Sequence, residues 1–116
     1  MNEPSCLFCK IVRGEVKSAR VLESDSWVAF RDIEPRAPVH VLIVPREHIA
    51  SLDELDDRHA EVVGKLHLAA RDVARQEGLA EGGWRVVTNV GPDAGQTVPH
   101  LHLHVLGGRR LGWPPG

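Results

Sequence analysis

A chain of 116 residues fits one compact domain, able to bury roughly two thirds of its unfolded surface around a single core. A formal net charge of −2 gives no overall basic field, and Arg109-Arg110 is only a doublet, so a nucleic-acid-binding footprint is excluded. No window approaches the ~18 apolar residues of a spanning helix, and the N-terminus lacks a basic run followed by an apolar one, so a cytoplasmic protein without membrane attachment is expected.

There are no repeats, low-complexity tracts or long linkers, so the chain reads as one domain over 1–116, with a core of about 4–110 and an irregular tail over 111–116. The fold class expected is α+β: about five antiparallel strands in one sheet, with one long helix and one short one covering its apolar face. With two phenylalanines and no tyrosine, the scarcity of aromatic residues carries little information by itself.

In chain order, the first segment holds the only two cysteines, Cys6-Leu-Phe-Cys9. In a reducing compartment this spacing points to metal binding or redox chemistry rather than a structural disulfide. No preceding strand and no βαβ context support a thioredoxin-like motif. Two thiolates so spaced can grip one zinc ion, and His48 plus a further histidine would complete a tetrahedron. Residues Cys6 to Arg13 predict a short helix stopped at Gly14.

Arg20 to Glu23 and Trp27 to Arg31 read as a hairpin turning at Ser24-Asp-Ser26. Ile33 to Pro38, with two prolines, must be a loop. Val39 to Val44 is a third strand, closed off by Pro45. Ser51-Leu-Asp-Glu54 has the form of a capping box, and the helical period of Leu55, Val62, Leu66, Ala69, Ala70 and Val73 predicts one long helix from there to Gly78. Gly64 inside it is expected to mark a close approach to another backbone, and His59 and His67 to be surface or packing residues. Trp84 to Val90 is a fourth strand. After the Gly91 to Pro99 loop, His100 to Leu106 is a fifth.

That fifth strand alternates strictly, His100-Leu-His102-Leu-His104-Val-Leu. Successive strand side chains point to opposite faces, so the three imidazoles share one face while Leu101, Leu103 and Val105 enter the core. A solvent-facing polar surface, a three-histidine metal site and catalysis are the alternatives. Histidines roughly 13 Å apart at the outer positions would strain a strand if they converged on one ion, whereas imidazole near neutral pH serves as nucleophile, acid or base.

The stretch Gly95-Gln-Thr-Val-Pro-His-Leu-His-Leu-His-Val-Leu-Gly-Gly-Arg109 resembles the signature of the histidine triad family, in its nucleotide-binding branch. Further matches lie at Phe8 to Glu15, at Phe30 to Ile49 and at the closing Trp113-Pro-Pro-Gly116, in order along nearly the whole chain. The resemblance implies a purine nucleoside phosphoramidase that cleaves the P–N bond and releases a nucleoside monophosphate. In it His102 is the nucleophile that forms a covalent nucleotidyl-histidine. His104 hydrogen-bonds the phosphate and helps protonate the leaving group, and His40 supports orientation or tautomer.

By the same resemblance Asp32 grips the ribose hydroxyls with Ile33 beside the base. The Gly91 to Thr97 loop, with two glycines just before the histidine strand, is either a plain turn or, beside the triad, a phosphate contact through Asn89, Gly95, Gln96 and Thr97. The family commonly has serine where Thr97 stands, and the extra methyl bears on leaving-group preference. In zinc-bearing relatives the fourth ligand matches His100, giving a structural zinc site of Cys6, Cys9, His48 and His100. A homodimer is implied, with tails carrying Trp113 near the partner's site. The competing readings are a dinucleoside polyphosphate hydrolase of the same superfamily, a nucleotide-sensing scaffold protein, and a small zinc module without catalysis.

Overall fold

The computed structural model describes residues 3–116; Met1 and Asn2, which the single-domain expectation includes, lie outside them. A short helix α1 (Leu7–Val12) precedes the hairpin β1 (Arg20–Glu23) and β2 (Trp27–Arg31), then β3 (Val39–Pro45), the long helix α2 (Ala60–Gln76), β4 (Trp84–Val87) and β5 (Leu103–Gly107). The strands form one five-stranded sheet in the order β1-β2-β3-β5-β4, antiparallel at every junction. The expected α+β sheet with one long and one short helix is therefore present.

The two-residue alternation of the strands divides the core between the two faces. Ala29, Val41, Ile43, Leu103 and Val105 meet Leu66, Ala69, Ala70 and Val73 of α2 on one face. Val28, Phe30, Leu42 and Val44 meet Cys6, Phe8, Cys9 and Ile11 around α1 on the other. Because α1 is short, it covers only part of its face, and the histidines occupy the remainder.

Four expectations need correction. The fifth strand begins at Leu103, not His100. Its last ladder partner on β3 is Ile43; beyond that Pro45 has no N–H to offer, and its carbonyl accepts from the His100 ring. Leu101 N–H turns instead to the Ile49 carbonyl. The alternation of sides nevertheless persists through the irregular stretch, with Leu101 in the α2-side core. At the near edge, β4 stops at Val87, leaving Thr88 to Val90 outside the ladder.

The long helix starts at Ala60, not after Ser51. Ser51 caps only a 3₁₀ turn, Leu52–Glu54. Leu55 then leaves helical geometry, with ψ of 149°, and this lets it pack against the core. The capping box that works is one turn later: the Asp56 carboxylate takes the Arg58 N–H, while His59 Nδ1 takes the Asp56 N–H at 3.1 Å. His59 is buried by this duty, whereas His67 is exposed. Gly64 approaches nothing: a Cβ there would meet no atom within 4 Å.

Candidate active site and metal centre

The face left open beside α1 carries a cavity of about 490 Å³. Leu7, Phe8, Ile11, Val16, Phe30 and Ile33 form its apolar part, while Asp32, His40, His102 and His104 with Gly95 and Thr97 form the polar part. The structure thus brings together most of the residues singled out from the sequence. Ile33 is 94 % exposed and stands at the mouth.

Two of those residues are elsewhere. Asn89, half-buried after β4, is not on the cavity wall. Gln96 spends its amide on backbone groups, accepting from Gly91 N–H at 3.1 Å and donating to the Ala50 and Val98 carbonyls at 2.9 and 3.1 Å. That brace holds the turn in which Gly91 and Gly95 take φ of 79° and 83°, a region glycine enters without penalty. Sequence reasoning missed the aromatic lining: Phe8 meets Phe30 edge-on at 5.6 Å and His102 at 5.1 Å. The chain's two phenylalanines both line the cavity, and their rarity, together with their place inside two of the matched segments, was the available signal.

Hydrogen bonds decide which nitrogen of each imidazole is free. His102 Nδ1 lies 2.7 Å from the His100 carbonyl. A carbonyl only accepts, so the proton sits on Nδ1 and Nε2 keeps its lone pair. His40 Nδ1 accepts from the Arg36 backbone N–H at 3.0 Å, so neutral His40 carries its proton on Nε2. That proton points to His104 Nδ1 at 2.9 Å, with the Asp32 carboxylate 3.4 Å from the same Nε2. His104 is left with its proton on Nε2. Among the described residues no buried side-chain nitrogen or oxygen lacks a partner, so the Nε2 atoms of His102 and His104, which have no protein partner, open onto the cavity.

Burial pushes all three site imidazoliums down. For His104 the value falls to about 4, with the neighbouring His102 and His40 adding to the effect and Asp32 opposing it. His102 and His40 shift in the same direction, burial again leading and Asp32 opposing. A cleft of neutral imidazoles results, holding one bare nitrogen and one N–H side by side.

Asp32, His40 and His104 are also close enough to suggest a cation site. The Arg36 N–H argues against it: a metal on His40 Nε2 would leave both ring nitrogens without a proton, an imidazolate at neutral pH. This cluster is wired for proton placement.

The other cluster differs. Cys6, at the N-cap of α1, and Cys9, one turn on, face His48 and His100. Cys6 Sγ and Cys9 Sγ lie 3.3 and 3.5 Å from His100 Nδ1, and Cys9 Sγ lies 3.3 Å from His48 Nδ1. Four donors bonded tetrahedrally to zinc at about 2.0–2.3 Å sit roughly 3.5 Å apart, so the arrangement matches. His100 donates Nε2–H to the Pro45 carbonyl at 2.9 Å, which fixes Nδ1 as a bare donor, the usual arrangement for a metal-ligating histidine. Burial raises the Cys9 thiol above its ordinary value, with the Glu3 backbone N–H acting in the opposite sense, and a cation would displace that proton. The residues present fit zinc.

An α+β layer whose open face sets a bare imidazole nitrogen beside an imidazole N–H in one cavity defines a histidine-based site. The particular family follows from comparison: the HIT domain model matches residues 13–111, and the chain belongs to that family. It is 46 % identical over 99 % of its length to a protein of Arabidopsis thaliana named adenylylsulfatase HINT1, covering 79 % of that protein. It is 45 % identical over its whole length to a 14 kDa zinc-binding protein of Zea mays, covering 91 % of that chain. A HIT family hydrolase of known structure from Legionella pneumophila superposes with a TM-score of 0.95 at 47 % identity, over 97 % of this chain and 100 % of the other. Among the described residues no helix is long and apolar enough to cross a membrane.

Proposed function

We propose that this chain is a purine nucleoside phosphoramidase acting through a nucleotidyl-histidine on His102. The observation that carries the reading is the bare Nε2 of His102, fixed by the 2.7 Å bond from Nδ1 to the His100 carbonyl and facing a cleft sized for a nucleotide. In this reading the base lies among Phe8, Ile11, Phe30 and Ile33, and Asp32 accepts from the ribose hydroxyls. Asp32 Oδ1 already holds the Glu34 N–H at 2.8 Å, which orients the carboxylate. Gly95 and Thr97 meet the phosphate, and Gln96 acts through the shape of the loop.

His102 Nε2 attacks the α-phosphorus, a P–Nε2 bond forms, and the P–N bond to the amine breaks with its electron pair. His104 donates Nε2–H to the phosphoryl oxygen or the departing nitrogen. Giving that proton away fully would leave an imidazolate beside Asp32, so its help to the leaving group is to hold the nitrogen while the amine takes a proton from solvent. Water then attacks phosphorus, the P–Nε2 bond breaks back to His102, and a proton returns to solvent. Dividing one displacement into two is the advantage of a covalent step.

Cys6, Cys9, His48 and His100 would hold zinc, which when bound supplies a cross-link between α1, the β3 exit and the histidine segment. It takes no part in the phosphorus chemistry. The functional unit is residues about 4–110 with 111–116 as tail, and the working form is a cytoplasmic homodimer; Trp113, 82 % exposed, finds no packing within one chain. Incubation with adenosine 5′-phosphoramidate tests the reading: AMP should appear with the wild type and not with His102→Ala. Absence of both AMP and adduct from the wild type would reject it. Adenylyl sulfate belongs in the same assay because of the Arabidopsis relative's name, and faster turnover of it would move the substrate from a P–N bond to a phosphate–sulfate anhydride, with sulfate as the leaving group.

A further inference from the structure

We infer that Arg109, outside the cavity on the segment after β5, is a positioning residue for the histidine pair, acting through the backbone of Arg36, whose carbonyl it holds and whose N–H meets His40. Its guanidinium donates to the Arg36 carbonyl at 2.8 Å and to the Arg110 carbonyl at 3.0 Å. Arg36 in turn sends its N–H to His40 Nδ1 at 3.0 Å, and His40 Nε2 reaches His104 Nδ1 at 2.9 Å. One residue of an exposed proline-flanked loop therefore dictates which nitrogen of two imidazoles bears the proton.

Local bonds hold the two ends of this loop, while among them only the Arg36 N–H to the His40 ring ties its middle. Asp32 N–H bonds to the His40 carbonyl, and Asp32 Oδ1 to the Glu34 N–H. Among the described residues only Arg109 reaches the Arg36 backbone from outside the loop. The tail is brought there by close contact: Gly108 has φ of 92°, and a Cβ on it would meet Pro38 Cβ at 2.9 Å. A guanidinium presents several fixed N–H donors, so it can clamp two carbonyls together. Without the clamp on its carbonyl, the backbone of Arg36 is free to turn about its own φ and ψ and carry the N–H of the preceding peptide away from His40; His40 can then move its proton to Nδ1, and His104 loses the acceptor bond that keeps its own proton on Nε2.

The inference rests on the phosphoramidase reading for its kinetic consequence but not for its structural one. Nitrogen-15 NMR of the imidazoles reads the tautomers directly. In the wild type His40 should appear as the Nε2–H form, and in Arg109→Ala as a mixture, with kcat down about tenfold and KM within about twofold, since small misplacements of reacting groups are costly. Arg109→Lys, able to reach one carbonyl, should restore the single tautomer and most of kcat. An unchanged tautomer in Arg109→Ala overturns the inference, whether or not kcat falls. A tautomer change in a protein whose wild type cleaves no phosphoramidate leaves the positioning role standing and rejects the function. Failure of Arg109→Lys to restore the tautomer, with melting temperature unchanged, also overturns it.

Discussion

His100 and His104 stand four residues apart on the same side of the chain, and burial pushes both imidazoliums down to about 4. His100 gives its Nε2–H to a backbone carbonyl and turns Nδ1 to two thiols. His104 gives Nδ1 to another imidazole and turns Nε2 to the cavity. Residue type and side are shared; His100 is fully buried and His104 half-buried, and their ring-nitrogen partners are what set the proposed metal donor apart from the proposed phosphate donor. His102, between them, uses the His100 carbonyl to free the opposite nitrogen.

The contrast can be broken at His102 first. His102→Ala should lower phosphoramidate turnover by at least about 10³-fold, since the nucleophile acts with its neighbours as a unit, while zinc content stays at the wild-type level. Loss of zinc in that variant would show that the two clusters are one. Cys9→Ser attacks the other side: zinc falls and the melting temperature drops by roughly 10 °C, because a ligand bound only by the fold stabilises it by mass action. The active fraction that remains folded should retain kcat within about threefold. A collapse of kcat there, with zinc retained, would contradict the division of duties.

His104→Asn keeps a side-chain donor but not its reach, and kcat should fall about 10–100-fold with KM little changed. The same variant sharpens the pH argument. His104 is neutral in the fold to about pH 4 but titrates near 6.5 when unfolded. The unfolded chain therefore binds the extra proton between those values, and this stability contribution, full above about 6.5, is lost as pH falls toward 4. Melting curves at pH 7 and 5 should show a smaller acid drop in His104→Asn than in the wild type. Gly64→Ala, with open space around the Cβ, is the smallest effect: about 1 kcal/mol of added stability from helix propensity, with zinc and turnover unchanged.

Much of this was legible in the sequence where a period or a spacing carried it. The hairpin at Ser24 to Ser26, the third strand and the sides of Leu101, Leu103 and Val105 follow from two-residue alternation. The Cys6/Cys9 pair and the face shared by His102 and His104 follow from spacing. What was not legible depended on tertiary competition for backbone groups. Pro45 offers no N–H and spends its carbonyl on His100, so β5 starts late. Leu55 must reach the core, so the cap falls at Asp56 and the long helix starts at Ala60, not after Ser51. Gln96 looks like a phosphate contact in sequence but is consumed by Gly91, Ala50 and Val98. The tautomers of His40, His102 and His104 rest on backbone partners that no side-chain pattern encodes.

The central claim is that His102 Nε2 is the nitrogen that bonds phosphorus. Intact-protein mass spectrometry of an acid-free quench, early in turnover of adenosine 5′-phosphoramidate, tests it most directly when followed by peptide mapping. The account predicts one adenylyl group per chain, on the peptide containing His102, absent from His102→Ala and present in Cys9→Ser. An adenylyl group on His104 or His40, or full turnover by His102→Ala, would contradict it.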